Sequence, residues 1–426
     1  MKKNVLVFPC GSEIGLDIYS SVYLSTYFHL VGANSVDDHG KFVYEDYVSG
    51  IPFVTDQMFI PKMKELVRQR QIDVIYPTMD QVITVLKEHE EELGCMVVSS
   101  PVETVRICLS KELTYQKLAD ILLTPKVYDF SSIPTDAFPV FAKPNIGYGA
   151  RGTKKLENQF EVDSFMKGKD GMLIMEYLPG EEYTVDCFTD RNGTLLFSAA
   201  RRRQRIRDGI SVNTSFVDNQ EEFEIITQKI NKCITFRGAW FYQVKRNKDG
   251  QLCLLEAASR LGGSSLLSRA IGVNLAQISL FDLLDYPVSI QKNTSYRVEL
   301  DRSLGNKYRC DGLSYQTVYV DYDDCLILRG SIVNVDMITF LYKGLNEHKR
   351  LILLTKHRGD LLKELKDFRL NTLFDEIIHI GETEQKTDYI TTSDAIFIDD
   401  SFAERERVSL RFNIPVFSPE MIDVFL

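Results

Sequence analysis

Asp321 and Asp323 stand just past an apolar run, Thr317-Val318-Tyr319-Val320, in the segment Asp321-Tyr322-Asp323-Asp324-Cys325. Alternate residues of an extended segment share a side, so the two carboxylates can converge, one as nucleophile and the other handling protons. Alone, the pattern also fits an ordinary acidic loop. Three later groups give it company. Thr355 closes the apolar run Arg350-Leu351-Ile352-Leu353-Leu354, Lys386 supplies a cation, and Asp399-Asp400 close Ala395-Ile396-Phe397-Ile398. A hydroxyl and an ammonium suit phosphate, and the carboxylates suit magnesium.

A second constellation lies upstream. Lys143 ends Val140-Phe141-Ala142 and is followed by Gly147-Tyr148-Gly149-Ala150-Arg151-Gly152. A lysine can contact phosphate while glycines let backbone N–H groups approach, so the segment is a candidate triphosphate cradle as well as a plain hairpin turn. The run Met172-Leu173-Ile174-Met175-Glu176-Tyr177-Leu178 reads as a strand entering a turn before Glu182. It can present backbone groups to an adenine edge and a carboxylate to ribose.

The strongest local signal is Asp249-Gly250 between two strand-like runs, which predicts a two-residue hairpin turn. Lys248 then faces Gln251, and Gln243 falls opposite Glu256 about 5 Å away. Two oxygen donors on one point suit a magnesium ion bridging phosphates; a simple cross-strand pair is the other reading. Arg260 and Leu261-Gly262-Gly263-Ser264-Ser265 follow at once. The basic run Arg201-Arg202-Arg203-Gln204-Arg205-Ile206-Arg207 offers further anion binders, or a solvated face.

The elements that must hold these groups are legible as a mixed, multidomain chain, part α/β and part α+β. Over residues 1–105, apolar runs at 5–8, 74–76 and 96–98 and a helical stretch expected over 14–30 suggest a Rossmann-like parallel sheet covered on both faces. Cys10-Gly11-Ser12-Glu13-Ile14-Gly15 carries only part of the dinucleotide fingerprint, so a tight strand-to-helix turn is the preferred reading. Residues 106–312 read as hairpins with glycine-rich and charged segments. A polar stretch at 306–316 sets the last boundary near 313, and 313–426 reads as a short α/β domain.

Composition narrows the chemistry. The 426 residues are 44% hydrophobic, too long for one core and apolar enough for three lobes. A net charge of -10 argues against a nucleic-acid partner, which would need a dominant basic face. The 8 cysteines show neither a CxxC pair nor zinc spacing and read as reduced thiols. With no signal-peptide pattern and no apolar stretch of membrane-spanning length, no membrane association is expected, and the expected compartment is the cytoplasm.

The order of features over roughly residues 1–310 resembles the ATP-grasp superfamily, in particular the carbamoyl-phosphate-synthetase large-subunit lineage. Ile72-Asp73-Val74-Ile75-Tyr76-Pro77-Thr78-Met79-Asp80 is similar to the end of that family's leading lobe, and Ser110-Lys111-Glu112-Leu113-Thr114-Tyr115 resembles the helix opening the grasp. The resemblance implies ATP with magnesium (or manganese) as cofactors. It places Lys143 and Arg151 on phosphate, Lys111, Gly149 and Gly152 among the ATP-binding residues, Glu176, Tyr177 and Leu178 near adenine, Glu182 near ribose, and Gln243 and Glu256 on metal. It implies attack of a small-molecule carboxylate on the γ-phosphate, capture of the acyl phosphate by an amine or other nucleophile, a catalytic role for Arg260, and a homodimer. Glu256-Ala257-Ala258-Ser259-Arg260 departs from the family: Ala258 replaces the asparagine that helps bind the second metal.

Residues 314–426 resemble a capless haloacid-dehalogenase-like phosphatase domain, the short interval between Leu326 and Thr355 leaving no room for a large cap. By that resemblance Asp321 is the phosphorylated nucleophile, Asp323 the general acid/base, Thr355 and Lys386 the phosphate binders, and the metal ligands come from Asp321, Asp323, Asp399 and Asp400, with a phosphoester as substrate. Asp324-Cys325 stands where Gly-Thr is usual. The expected function is therefore an ATP-dependent ligase fused to a magnesium-dependent phosphatase. The alternatives are a phosphatase carrying a regulatory ATP-binding module, and a scaffold with two vestigial sites.

Overall fold

The apolar runs become the cores of two separate units, 1–304 and 305–426, in the computed structural model of the chain. The structure describes residues 2–147, 149, 151–207, 209–293, 296–303, 308 and 312–426. Residues 306, 307 and 309–311 of the polar stretch expected to mark the last boundary, Cys310 among them, and Tyr148, Ala150 and Asp208 lie outside the described residues.

The first unit opens with strands β1 (Lys3–Phe8), β2 (Phe28–Ala33), β3 (Asp46–Val48), β4 (Val74–Pro77) and β5 (Met96–Val97), paired in parallel in the order β3-β2-β1-β4-β5. Residues 5–8 and 74–78 are buried throughout, as a sheet covered on both faces requires. The helix expected over 14–30 is shorter: it spans Glu13–Val22, and Phe28 to Leu30 belong to β2. One apolar run there served two elements, and the β-branched and aromatic end of it fits the buried sheet interior better than a helix.

The Gly11-to-Gly15 turn is a strand-to-helix junction. Ser12 caps the helix by accepting from the Gly15 N–H at 3.0 Å. A Cβ on Gly15 would lie 2.3 Å from the Cys10 carbonyl oxygen, so close packing of helix on strand excludes a side chain there. The Ser12 hydroxyl also donates to Thr78 Oγ1 at 2.8 Å, joining the ends of β1 and β4.

The strands β6 (Val127–Tyr128), β7 (Val140–Pro144), β8 (Lys154–Leu156) and β9 (Met172–Glu176) form an antiparallel sheet ordered β6-β9-β7-β8. A larger antiparallel sheet follows, from β10 (Glu182–Thr189), β11 (Leu195–Arg207), β12 (Ile210–Phe216), β13 (Gly238–Arg246), β14 (Leu252–Ala258) and β15 (Glu299–Asp301), ordered β14-β13-β10-β11-β12-β15.

The β13–β14 turn is one residue longer than expected. Asn247 N donates to the Gln251 carbonyl at 2.9 Å, so 248–250 make a three-residue loop with Gly250 left-handed at φ 79. The Asn247 side chain holds this wider turn by accepting from Asp249 N and Gln251 N at 3.0 and 2.9 Å. Val244 then pairs with Leu254, a bulge intervenes, and Gln243 still meets Glu256.

In the second unit, β16 (Thr317–Val320), a short hairpin of β17 (Ile327–Leu328) and β18 (Ile332–Val333), β19 (Arg350–Thr355), β20 (Glu376–His379), β21 (Ala395–Ile398) and β22 (Val416–Phe417) follow in turn. The parallel sheet is ordered β20-β19-β16-β21-β22, with β16 between the other two strands that carry expected site residues. Between Leu326 and Thr355 stand only that hairpin, the helix Val335–Asn346 and β19 itself among the described residues.

Candidate functional site

In the first unit a cavity of about 740 Å³ is lined by Lys111, Lys143, Glu176, Glu256, Asp80 and Arg260 among others. Its size is that of a small-molecule pocket.

The Leu255 bulge builds its centre. A bulged residue is released from the ladder, and the Leu255 carbonyl accepts instead from Tyr115 Oη at 2.7 Å and Lys143 Nζ at 3.0 Å. Lys143 Nζ also donates to Tyr115 Oη at 2.8 Å. Burial, against the opposing pull of Glu256, brings the Lys143 ammonium down to about 8.

Lys111 opens the helix Lys111–Leu118, which Ser110 caps. Asn145, just past β7, fastens that helix start by accepting from Glu112 N at 2.9 Å and Ser110 Oγ at 3.1 Å. Lys111 Nζ reaches the Gly147 carbonyl at 3.2 Å and lies 3.9 Å from Glu256 Oε2. Gly149 and Gly152 take φ 64 and 74, values open to glycine in a loop that must bring backbone N–H groups toward a ligand. Arg151 lines the same cavity.

Glu176, Tyr177 and Leu178 follow one another along the cavity wall, with Lys155 over the Tyr177 ring at 4.8 Å. Glu182, expected near ribose, lies 3.2 Å from Arg203 Nε and 3.7 Å from Lys245 Nζ. Arg201 is buried in an ion pair with Asp186 at 2.7 Å. Arg260 makes two parallel bonds to Asp80, Nε to Oδ1 at 2.9 Å and Nη2 to Oδ2 at 2.8 Å. Its guanidinium also sits over the Phe241 ring at 5.2 Å.

Gln243 and Glu256 are the facing oxygen donors, both half-buried on the cavity wall, and fit one divalent cation. Ala258, buried opposite Phe241, adds no side-chain oxygen.

In the second unit Lys386 Nζ lies 2.6 Å from both Asp321 Oδ1 and Asp399 Oδ2, all three residues buried. Burial raises the Asp321 carboxyl and brings Asp399 up to about 7, with Lys386 opposing in both cases. Thr355, fully buried, stands close enough to help hold the Asp321 charge, yet its hydroxyl has no partner in hydrogen-bond geometry. Such an orphaned hydroxyl fits a ligand oxygen.

The expected metal ligands divide. Asp321 and Asp400 carboxylate oxygens and Cys325 Sγ lie within 4.8 Å of one another. Asp399 is instead taken by Lys386 and by Ser401 N at 2.8 Å. Asp323 faces His357, whose Nδ1 is 3.0 Å from its Oδ1. The usual glycine position holds Asp324 at φ 50, a conformation aspartate tolerates better than most residues.

Sequence reasoning missed Tyr115, Asn145, the Asp80–Arg260 pair and His357. Tyr115, Asp80 and Arg260 lay inside quoted segments, but nothing in residue type or spacing announced their partners, and Asn145 and His357 were not singled out.

Residues 169–303 match the family model described as ATP-grasp in the biosynthetic pathway with Ter operon. The chain is similar to the biotin carboxylase domain of Hydrogenobacter thermophilus 2-oxoglutarate carboxylase, in complex with MgADP, ADP and bicarbonate, with TM-score 0.58 and 15% identity over 68% of this chain and 72% of that one. It is also similar to N5-carboxyaminoimidazole synthetase from Staphylococcus aureus complexed with ADP (TM-score 0.56, 15% identity, 68% and 81% covered). An L-amino acid ligase from Bacillus licheniformis matches with TM-score 0.55 and 16% identity over 66% of this chain and 74% of that one. No curated protein matches in sequence. The chain therefore contains an ATP-grasp fold. No helix among the described residues is long and apolar enough to cross a membrane.

Proposed function

We propose that the chain is an ATP-dependent ligase joined to a magnesium-dependent phosphatase. The observation carrying the ligase reading is the convergence of Lys111, Lys143 and the Gln243–Glu256 pair on one cavity. Similar folds named for their complexes with MgADP and ADP support it.

A carboxylate oxygen of the substrate attacks the γ-phosphorus; an O–P bond forms, the bond to the β-phosphate oxygen breaks, and ADP leaves. An amine then displaces phosphate from the acyl phosphate. Bound magnesium neutralises phosphate charge. Lys143 and Lys111 hold phosphate oxygens, their heads aimed by the Leu255 and Gly147 carbonyls. Glu256 and Gln243 would hold the metal, and Glu176 to Leu178 would wall the adenine end. Fixed cations of this kind stabilise charge spread over the transferred group.

In the second unit Asp321 is the nucleophile toward a phosphomonoester, forming an aspartyl phosphate as the alcohol departs. Lys386 and Thr355 bind phosphate oxygens, and Asp321 with Asp400 would hold the magnesium; Cys325 lies beside them, but burial keeps its thiol protonated and magnesium takes oxygen ligands. Asp323, steadied by His357, passes the proton to the leaving group and then takes one from a water that attacks the phosphorus, so the bond to Asp321 breaks and phosphate is released.

Ala258 favours one further reading, in which the first unit binds ATP as a regulatory module and only the phosphatase turns over. Incubation with ATP, magnesium and pools of carboxylates and amines, in wild type and Asp321→Asn, separates the two. Equal ADP formation in both proteins assigns turnover to the first unit. ATP binding without ADP formation from any pool rejects ligation.

A further inference from the structure

The Asp80–Arg260 pair forms part of the cavity wall although its members are 180 residues apart. Asp80 starts the helix Asp80–Glu88 just past β4, and Arg260 follows β14, so the pair joins the Rossmann-like lobe to the strand bearing Glu256. Both side chains are largely covered, at 14% and 24% exposure for Arg260 and Asp80. Arg260 stands two residues past the end of the strand Leu252–Ala258, so the pair lies beside the Gln243–Glu256 donors rather than beside Glu176 to Leu178.

A substrate carboxylate arriving beside the phosphates meets Arg260 already engaged at both of its parallel bonds. Taking Arg260 for a plain carboxylate strips Asp80 of its cation in a covered site, which is unfavourable. A substrate carrying an ammonium beside its carboxylate replaces both halves at once: its carboxylate takes the guanidinium and its ammonium takes Asp80. The exchange leaves no charge unpaired and the net charge of the site unchanged.

We propose that the acid activated by the first unit is an α-amino acid bound as its zwitterion, with Arg260 as the carboxylate contact and Asp80 as the ammonium contact. This rests on the ligase reading above. It explains why a bidentate acid–base pair occupies a wall where catalysis alone calls for a free cation.

The test compares ADP formation with the proteinogenic amino acids and with the deamino acid of each, for example leucine against 4-methylpentanoate. In wild type at least one amino acid is expected to exceed its deamino analogue by about 10⁴-fold in kcat/KM, the scale on which a site built for a polar group rejects its absence. Asp80→Asn is expected to lose that preference chiefly through KM, and Asp80→Glu to restore part of it. Equal use of the two acid classes by wild type overturns the proposal. So does a preference that survives in Asp80→Asn.

If ADP forms with no acid, ligation itself fails. Equilibrium binding of the same pairs to the full chain loaded with the β,γ-imido analogue of ATP then decides separately. Tighter binding of the zwitterion, lost in Asp80→Asn, upholds the inference; equal binding rejects it.

Discussion

Gln243 faces Glu256 because two one-residue departures from a simple hairpin offset each other. The turn is one residue wider than Asp249-Gly250 suggests, and the bulge at Leu255 restores the register just before the donor pair. A register slip of one residue would otherwise turn one donor to the opposite face. The bulge thus sets the two facing oxygen donors proposed for the metal and, through the freed Leu255 carbonyl, the direction of Lys143.

Glu256→Gln tests that centre. ADP formation is expected to fall by about 10²–10³-fold, the usual range for removing one preorganised charge-stabilising group. Calorimetric titration with ATP in EDTA is expected to match wild type, while the magnesium-dependent gain in affinity shrinks. Ala258→Asn, which returns an oxygen donor to the neighbouring position, is expected to tighten magnesium in the same titration.

If Lys143 holds phosphate as proposed, nucleotide affinity is expected to depend on pH. Its ammonium titrates at about 8 rather than the usual 10.5, so the cation is lost on the alkaline side of neutrality. Affinity for ATP is expected to hold near pH 7.5 and fall above 8, by up to tenfold per unit. The folding sign is the reverse: between those two values the native state binds fewer protons than the unfolded chain. The cost of burying the charge is full below about 8 and is relieved as pH climbs. Lys143→Arg, charged throughout, should flatten the affinity profile.

Lys386 is the shared cation of two buried carboxylates, so Lys386→Met leaves both uncompensated. Removing one member of a buried ion pair costs about 3–5 kcal/mol. Urea melts of the full chain should show a less stable second transition, together with loss of phosphate release. Asp321→Asn should abolish phosphate release with a much smaller change in the melt.

His357 sits between Asp323 and Glu364, with Tyr322 edge-on to its ring and the His379 ring 6.4 Å away. Burial opposes its charge, but the two carboxylates prevail and raise its proton affinity above the usual histidine value. The resulting stability is full below the ordinary value near 6.5 and is lost as pH rises through the raised one. His357→Gln should therefore melt earlier than wild type at pH 5.5, with the difference closing by pH 9.

Both parallel sheets were legible because buried strands such as 5–8 and 317–320 are continuous apolar runs. The boundary inside 14–30 was not, since helix and strand share one hydrophobic stretch there and periodicity cannot divide it. Lysines at strand ends and carboxylates past them announced the sites through residue type. Asp80 with Arg260, and Asp323 with His357, are pairings made by tertiary structure across long separations, and no local spacing encodes them.

The two parallel sheets share one strand order and diverge at one junction. In each, the first strand lies between the second and fourth, and the chain leaves the first and fourth strands at the sheet's carboxyl edge. In one sheet that gap is bridged by the Ser12 and Thr78 hydroxyls; in the other, Asp321 and Asp399 flank Lys386. A neutral latch and a charged trap therefore occupy equivalent ground. For such a scaffold, gain or loss of reactivity is a matter of the few residues that follow each strand at its carboxyl edge, on strands whose order is the same in both.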